Sequence, residues 1–322
     1  MKDIIDYIKT HDNFIVTSHV SPDGDNVSSC IAMYLFLKKL GKNVFHLLDD
    51  DIPDNLNYLI ENRTVYKSQN FPDIDNLNKY TIIAIDCANT ARLAIEKKFL
   101  NCFVIDIDHH IGNENYGNIN YIAEASSSCE VVYDIIMNFR PELLTSDIAT
   151  ALYTGLATDT GNFMYDNTKP KAFAMAGSLI EKGAEKQKIV DTIFRNEDLN
   201  YKKFKADLIL NHFELKDNYS IMILKRQLLD KYGVDDKNTE SLPSLTVEIK
   251  GAEIGVLLRE KTENITKGSF RSKSKADIRK LAEDLGGGGH SKAAGFTLNM
   301  PIDEAVAFVE TKVKEYLAKW TE

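Results

Sequence analysis

The chain has 322 residues, of which 43% are hydrophobic and 27% charged, and its formal net charge is −9. This is an ordinary composition for a globular protein long enough to form two domains. No stretch approaches the roughly 20 apolar residues of a membrane span, and the first residues lack the apolar core of a signal peptide, so we expect a cytoplasmic protein without a membrane partner. The acidic charge argues against tracking along a nucleic-acid duplex but does not exclude a short polyanion.

The first half of the chain alternates short apolar runs with helical patterns. Strands are predicted at residues 13–18, 43–48, 81–86 and 102–107, and helices at 27–40, 130–139, 146–158 and 171–181. Strands that alternate with helices indicate a parallel, doubly wound α/β sheet. We therefore predict an N-terminal domain of this class at residues 1–184.

After Gly183 the pattern changes. Residues 185–216 are rich in Lys, Glu, Asp and Asn with helical spacing of their apolar residues, which predicts a helical connector. Strands are then predicted at residues 219–224, 252–258, 268–272 and 296–298, and helices at 276–285 and 303–319. These elements indicate a second, smaller α/β domain with a mixed sheet at residues 217–322.

Three of the predicted N-terminal strands lead directly into acidic residues and histidines. They are His19, Asp23 and Asp25 after the first strand, Asp86 at the end of the third, and Asp108, His109 and His110 at the end of the fourth, while a predicted helix supplies Asp159. Because the carboxyl ends of parallel strands meet at one edge, these side chains are expected to converge. So many carboxylates would repel one another without cations, and two adjacent divalent metals suit phosphoryl-transfer hydrolysis.

A structural role is the alternative for some of these residues. Asp25 is a plausible helix cap, and Asp108 a cap for a strand end. Considered with the other acids, metal binding is the favoured interpretation. The mixture of carboxylates and imidazoles suits Mn²⁺ better than Ca²⁺ or copper, so two Mn²⁺ ions are expected, with Mg²⁺ or another divalent metal as the alternative. Successive residues of an extended segment point to opposite sides, so His109 and His110 do not easily share one metal.

Four consecutive glycines, Gly286 to Gly289, precede His290. Such a run is also found in flexible linkers. Here it follows a predicted amphipathic helix, and glycines let backbone N–H groups approach a phosphate closely. We therefore predict substrate binding by Gly287, Gly288, Gly289 and His290. Arg271 is either a fork for a second phosphate or part of a solvated basic turn.

These motifs, in this order, resemble those of the DHH phosphoesterase family. Four N-terminal motifs are matched by His19-x-x-x-Asp23-x-Asp25, Asp86, Asp108-His109-His110 and Asp159, and the Gly-Gly-Gly-Gly-His run matches the signature of the family's DHH-associated domain. There is one departure. The family follows Asp-Gly-Asp with Ala, an aliphatic residue, Gly and Ser, whereas this chain has Asn26-Val27-Ser28-Ser29.

The resemblance implies a role for each motif residue. His19 and Asp23 would hold one metal, Asp25 and His109 the other, Asp86 would bridge them and Asp159 would complete the set. His110 would act on the substrate phosphate or the leaving group, and Asp108 would orient an imidazole. The resemblance also favours Arg271 as a substrate-binding residue.

The implied activity is hydrolysis of short oligoribonucleotides to mononucleotides, or of pAp (3′-phosphoadenosine 5′-phosphate) to AMP. Hydrolysis of pApA or of a cyclic dinucleotide is the alternative. A manganese pyrophosphatase would lack the glycine run, and a processive exonuclease of the RecJ kind would be longer. A nucleotide-binding regulator without activity would be expected to have lost a ligand, and none is missing. We expect a homodimer or a monomer.

Overall fold

The chain folds into two α/β units. A computed structural model describes residues 1–74, 76–273 and 276–319. The chain divides into one unit at residues 1–196 and a second at 197–322, so the segment predicted as a connector, 185–216, is shared between the two. The predicted fold class is confirmed, because the first unit contains a parallel sheet and the second a mixed one. Among the described residues no helix is both long and apolar enough to cross a membrane.

The first unit contains six strands and seven α-helices within the described residues. The strands are β1 (Asn13–Thr17), β2 (Asn43–Leu47), β3 (Val65–Tyr66), β4 (Thr81–Ile85), β5 (Phe103–Asp108) and β6 (Ile119–Ile122). The helices are α1 (Lys2–Thr10), α2 (Gly24–Lys39), α3 (Asn57–Ile60), α4 (Ser128–Phe139), α5 (Ser146–Asp159), α6 (Pro170–Glu181) and α7 (Lys186–Ile189). Every strand pair in this sheet is parallel.

The strand order β3-β2-β1-β4-β5-β6 reverses direction between β1 and β4. This is the doubly wound order, in which a crevice opens beyond the carboxyl ends of the two central strands. Alternate residues of the strands face opposite sides, so Val16, Ile83 and Ile105 pack against the helices. Ile82 and Val104 pack on the other side, where Phe71, Leu93 and Phe99 from loops and short 3-10 turns cover the sheet.

The second unit is built on a six-stranded mixed sheet. Its strands are β7 (Phe213–Lys216), β8 (Tyr219–Leu224), β9 (Ile254–Thr262), β10 (Ile265–Ser272), β11 (Gly288–Gly289) and β12 (Ala293–Leu298). Its helices are α8 (Leu199–Asn211), α9 (Arg226–Tyr232), α10 (Leu242–Leu245), α11 (Ile278–Glu283) and α12 (Ile302–Ala318). The order is β11-β12-β10-β9-β8-β7, and β8 and β9 form the parallel pair. Helices α11 and α12 pack on one face of this sheet, and α8, α9 and α10 on the other.

His46 is a buried histidine in the middle of the first sheet. It lies on β2 with 1% of its surface exposed, and neither ring nitrogen has a hydrogen-bond partner among the described residues. Burial lowers the pKa of His46 from 6.5 to about 4. The folded protein therefore holds this imidazole in its neutral form.

We predict that His46 makes the protein sensitive to acid. Its folded pKa lies below its unfolded pKa, so its contribution to stability is complete above pH 6.5 and is lost as the pH falls towards 4. At pH 4.5 the loss is about 2–3 kcal/mol. In urea unfolding at pH 7.5 and pH 4.5, His46→Met is expected to lose less stability on acidification than the wild type. Equal losses in the two proteins would contradict this.

Candidate metal centre and phosphate-binding residues

The crevice between β1 and β4 contains the first group of predicted ligands. His19 follows β1, and Asp86 follows β4 directly. The Nε2 atom of His19 lies 3.6 Å from Asp86 Oδ2 and 3.7 Å from Asp23 Oδ2. One donor atom from each of these three residues therefore faces a common point.

A second group lies on the other side of Asp86. His109, at the end of β5, places Nε2 3.5 Å from Asp86 Oδ1 and 3.8 Å from Asp159 Oδ2. Asp25, His109 and Asp159 form a second set of converging donors. Asp86 thus directs one oxygen to each group. The structure brings all six predicted ligands together at one edge of the sheet.

The geometry of these donors fits metal ions better than direct hydrogen bonds. Separations of 3.5–3.8 Å exceed the usual hydrogen-bond range. They are short enough for two atoms that each lie about 2.1 Å from one ion. His19 Nδ1 lies 2.7 Å from the carbonyl of Val20, and His109 Nδ1 lies 3.3 Å from that of Ala125. Metal-binding histidines commonly use one ring nitrogen in this way and leave the other free for the ion.

Asp86 occupies a restrained backbone conformation. Its φ is 60°, in the left-handed region that non-glycine residues seldom adopt, while its N–H donates to the carbonyl of Ile107 at 3.0 Å. The side chain is 3% exposed. Strain of this kind is concentrated at functional sites, where the surrounding structure holds it in place. In this conformation the carboxylate lies 3.6 Å from His19 Nε2 and 3.5 Å from His109 Nε2.

Asp23 uses its two oxygens for two purposes. Oδ1 accepts the N–H groups of Asp25 and Asn26 and so caps α2, while Oδ2 faces His19. The helix consequently begins at Gly24, three residues earlier than the sequence predicted. The cap of α2 is therefore Asp23 and not Asp25. Asn26, part of the departure from the family pattern, is buried, and its side-chain amide donates to the carbonyl of His19 at 3.4 Å.

The amino end of α4 binds the carboxylate of Asp25. The backbone N–H groups of Ser128 and Cys129 donate to its two oxygens at 2.6 and 3.0 Å, and the Ser128 hydroxyl donates to Asp86 Oδ1 at 2.9 Å. Gly155 on α5 makes room for this arrangement. A Cβ there would lie 2.3 Å from the Cys129 sulfur and 2.8 Å from an Asp25 oxygen.

Asp108 and His110 form a hydrogen-bonded pair beside the two groups. Oδ1 of the buried Asp108 accepts from His110 Nδ1 at 2.7 Å, and Oδ2 accepts from the Asn113 side chain at 2.7 Å. With Nδ1 donating to Asp108, the Nε2 atom of the half-exposed His110 ring remains available. The Asp108 carboxylate also raises the pKa of His110. This hydrogen bond is the contact through which Asp108 would orient an imidazole, as the resemblance implies.

The charges in this cluster favour a cation. Burial and then the Asp86 charge raise the pKa of Asp25 well above its ordinary value, and burial raises that of Asp159 to about 6. Burial alone would lower the pKa of His109, but Asp86 and Asp25 raise it to about 10. Burial also opposes ionisation of Asp86, yet the His109 and His19 imidazoles bring its pKa below the ordinary value. Positive charge between these acids would relieve their repulsion.

The sequence analysis missed the polar residues behind the ligands. Ser128 and Asn113 contact Asp86 and Asp108, and the side chain of Asn167 donates to the backbone carbonyl of Asp159 at 3.1 Å. The Ser127-x-x-Glu130 spacing is a helix-start signal, and Ser127 does accept the Glu130 N–H at 3.2 Å. That signal predicts where α4 begins, but it contains no information about which carboxylates the helix end contacts.

The glycine run of the second unit is more closely packed than the sequence suggested. A Cβ at Gly287 would lie 2.1 Å from the carbonyl oxygen of Gly295, and one at Gly289 would lie 2.6 Å from that of Ala293. Gly288 faces open space. Two of the three predicted phosphate-binding glycines are therefore required by their contacts with β12, whether or not they bind a ligand.

Arg271 and the glycine run lie at the same end of the second sheet. Arg271 on β10 pairs with Ala293 on β12, and Gly289 on β11 pairs with the adjacent Ala294. Strands separated by one intervening strand are roughly 10 Å apart. Arg271 Nη1 donates to the carbonyl of Phe270 at 2.9 Å, and the His290 side chain, beyond the run, is exposed.

Comparison with known families identifies both units. Residues 13–156 match the N-terminal domain of the DHH family, and residues 218–318 match the DHHA1 domain. The chain contains the N-terminal domain of the DHH family and a DHHA1 domain. The expectation drawn from the motifs is therefore confirmed for both halves of the chain.

Similar proteins span nearly the whole chain. A bifunctional oligoribonuclease and PAP phosphatase NrnA from Thermus thermophilus is 29% identical over 94% of this chain and 90% of its own length. The protein of the same name from Bacillus subtilis is 26% identical over 98% and 99%. The crystal structure of an exopolyphosphatase-related protein from Bacteroides fragilis matches with a TM-score of 0.88 at 24% identity, covering 100% of this chain and 98% of that one. This structure supports the fold alone.

We predict that divalent ions stabilise the first unit through Asp86. An ion at 100 times its Kd adds about 2.7 kcal/mol to the free energy of unfolding for each site. Denaturant unfolding in Mn²⁺ and in EDTA is expected to show this gain for the wild type. Asp86→Ala removes the shared ligand and is expected to lose most of the gain. A variant stabilised as strongly as the wild type would contradict the assignment of Asp86.

Proposed function

We propose that this chain is a phosphoesterase that uses two divalent metal ions, Mn²⁺ being the favoured one, to hydrolyse short oligoribonucleotides to mononucleotides and pAp to AMP. The observation that carries the proposal is Asp86, whose two oxygens face two separate groups of donors. Paired ions that share a carboxylate are suited to in-line displacement at phosphorus. The names of the relatives from Thermus thermophilus and Bacillus subtilis support the substrate class.

The ligands are assigned by these donor groups. His19 and Asp23 would hold one ion and Asp25 and His109 the other, with Asp86 shared between them and Asp159 completing the second set. When bound, the ions supply a water of lowered pKa and neutralise charge on the phosphoryl oxygens. The N–H groups of α4 hold the Asp25 carboxylate in place, and the imidazoles beside Asp86 favour the ionised form of Asp86.

His110 is assigned to the substrate. Its Nδ1 is held by Asp108, so its Nε2 is the nitrogen that can donate to a phosphoryl or leaving oxygen. Donation at the point where negative charge develops stabilises the transition state. Asp108 contributes by fixing the orientation of the ring, and Asn113 holds the second oxygen of Asp108.

The second unit is assigned to binding of a substrate phosphate. Gly288 is the open position of the run, and the half-buried Arg271 and the exposed His290 lie at the same end of the sheet. The N–H groups of Gly287 and His290 already donate to the carbonyls of Ala282 and Ala293, both at 2.8 Å. The planar guanidinium of Arg271 and the His290 side chain are therefore the groups suited to phosphate oxygens. We propose that Arg271, Gly287, Gly288, Gly289 and His290 form this part of the substrate site.

The activity is tested with purified protein, Mn²⁺ and a panel of substrates. The panel contains pAp, RNA and DNA dinucleotides, pApA, a cyclic dinucleotide and labelled RNAs of increasing length. Release of mononucleotides from RNA dinucleotides and of AMP from pAp is expected, with both reactions lost in EDTA and in Asp86→Ala. Cleavage of pApA or the cyclic dinucleotide alone would favour the alternative activity. Binding of these compounds without hydrolysis would indicate a regulator.

The efficiency is expected to fall as the RNA lengthens. The net charge of −9 offers no long basic surface, so added phosphates gain no binding. Lower salt is not expected to restore activity on long RNA, because weaker screening strengthens repulsion as well as attraction. The measurement is kcat/KM against length at two salt concentrations. Equal or rising efficiency with length would favour a general exonuclease.

His290 is expected to affect substrate binding and not metal binding. His290→Ala should raise KM by a factor equivalent to the loss of a charge-assisted hydrogen bond, about 1.5–3 kcal/mol. Metal content should stay at the wild-type level. His212→Ala, which removes a different histidine of the second unit, is the matched control and should leave KM unchanged. Loss of metal from His290→Ala would refute the assignment.

A further inference from the structure

Ser128 contacts two proposed ligands that come from different parts of the chain. Its backbone N–H donates to Asp25 Oδ2 at 2.6 Å, and its hydroxyl donates to Asp86 Oδ1 at 2.9 Å. Asp25 lies in the first turn of α2, whereas Asp86 follows β4. Ser128 is the first residue of α4 and is fully buried. No other described residue donates hydrogen bonds to both of these carboxylates.

Both acceptor atoms belong to the same side of the centre. Asp86 Oδ1 is the oxygen 3.5 Å from His109 Nε2, whereas Oδ2 faces His19 at 3.6 Å. Asp25 belongs with His109 and Asp159 in the second donor group. Ser128 thus touches this group twice, and none of its recorded hydrogen bonds involves His19 or Asp23.

We propose that Ser128 is a positioning residue for the ion held by Asp25, His109 and Asp159. This inference rests on the two-ion function proposed above. Rotation of a carboxylate about its last bond is only weakly restricted, so the side chain alone does not fix which oxygen faces which ion. The Ser128 hydroxyl fixes the rotation of the Asp86 carboxylate. The Ser128 N–H holds the Asp25 carboxylate in a fixed position relative to Asp86. Loss of such an outer contact weakens metal binding by about 10–100-fold.

Ser127 provides a matched control at the same helix end. It is also fully buried, and its hydroxyl accepts the Glu130 N–H at 3.2 Å as the cap of α4. None of its recorded side-chain hydrogen bonds reaches a proposed ligand. Ser127→Ala therefore removes a hydroxyl that supports the helix, whereas Ser128→Ala removes one that supports the metal centre.

The test is calorimetric titration of the metal-free full chain with Mn²⁺. The wild type is expected to bind two ions. Ser128→Ala should keep one ion at wild-type affinity and bind the other about 10–100-fold more weakly. Ser127→Ala should lower the Tm of the metal-free protein while keeping both affinities. The inference is overturned if Ser128→Ala binds both ions like the wild type, or if both ions are weakened equally.

A second measurement uses the magnetic coupling of neighbouring Mn²⁺ ions. The sample contains two equivalents of Mn²⁺, at a free concentration below the Kd of the weakened site in the variant. The wild type should then give the electron paramagnetic resonance spectrum of a coupled pair. Ser128→Ala should give the spectrum of a single ion. Ser128→Gly, which also lacks the hydroxyl, replaces the alanine variant if that variant does not fold. If the wild type binds fewer than two ions, the proposed function is overturned as well. If the wild type binds two ions and Ser128→Ala binds them equally well, only this inference is overturned.

Discussion

The centre of the first unit depends on one buried carboxylate held between two imidazoles. Asp86 contacts His19 through one oxygen and His109 through the other, at 3.6 and 3.5 Å. This is possible because the strand order reverses between β1 and β4, so residues after these strands face each other across the crevice. The left-handed backbone at Asp86 turns the side chain into that crevice. Sheet topology, local backbone strain and ligand geometry are thus parts of one arrangement.

The acids around Asp86 repel one another, and the fold opposes this repulsion with fixed donors. Asp25 receives two backbone N–H groups from α4, and the partial positive charge of a helix start favours its ionised form. Asp23 receives two from α2. These donors belong to helices packed into the core, so they do not depend on mobile side chains. The cluster is assembled by the protein backbone to a large extent.

The convergence of the proposed ligands was predictable from sequence, because the ends of parallel strands place His19, Asp86 and His109 at the same sheet edge. The contacts behind them were not. Ser128 and Asp86 are 42 positions apart, and nothing in the sequence around either residue indicates that they meet. Polar contacts of this kind are set by helix packing, which single-sequence patterns do not encode.

Several predicted boundaries of helices and strands were wrong for local reasons. The start of α2 was placed three residues late, because apolar periodicity begins at Val27 while the helix is initiated by the Asp23 side chain. The strands β3 and β11 contain two residues each, too few to show alternation. The edge strand β7 was read as part of the helical connector, because Phe213–Lys216 follows α8 after a single residue.

The packing of the glycine run bears on the entropy of ligand binding. Glycine loses more backbone freedom on ordering than any other residue, and four in succession would normally make a binding loop that must be ordered by its ligand. Here Gly288 and Gly289 are already paired with β12, and Gly287 is enclosed by Gly295 and Phe296. The loss of freedom has therefore taken place during folding. A phosphate bound beside this turn would meet a backbone that is already ordered, so its interaction energy would not be reduced by the ordering of a loop.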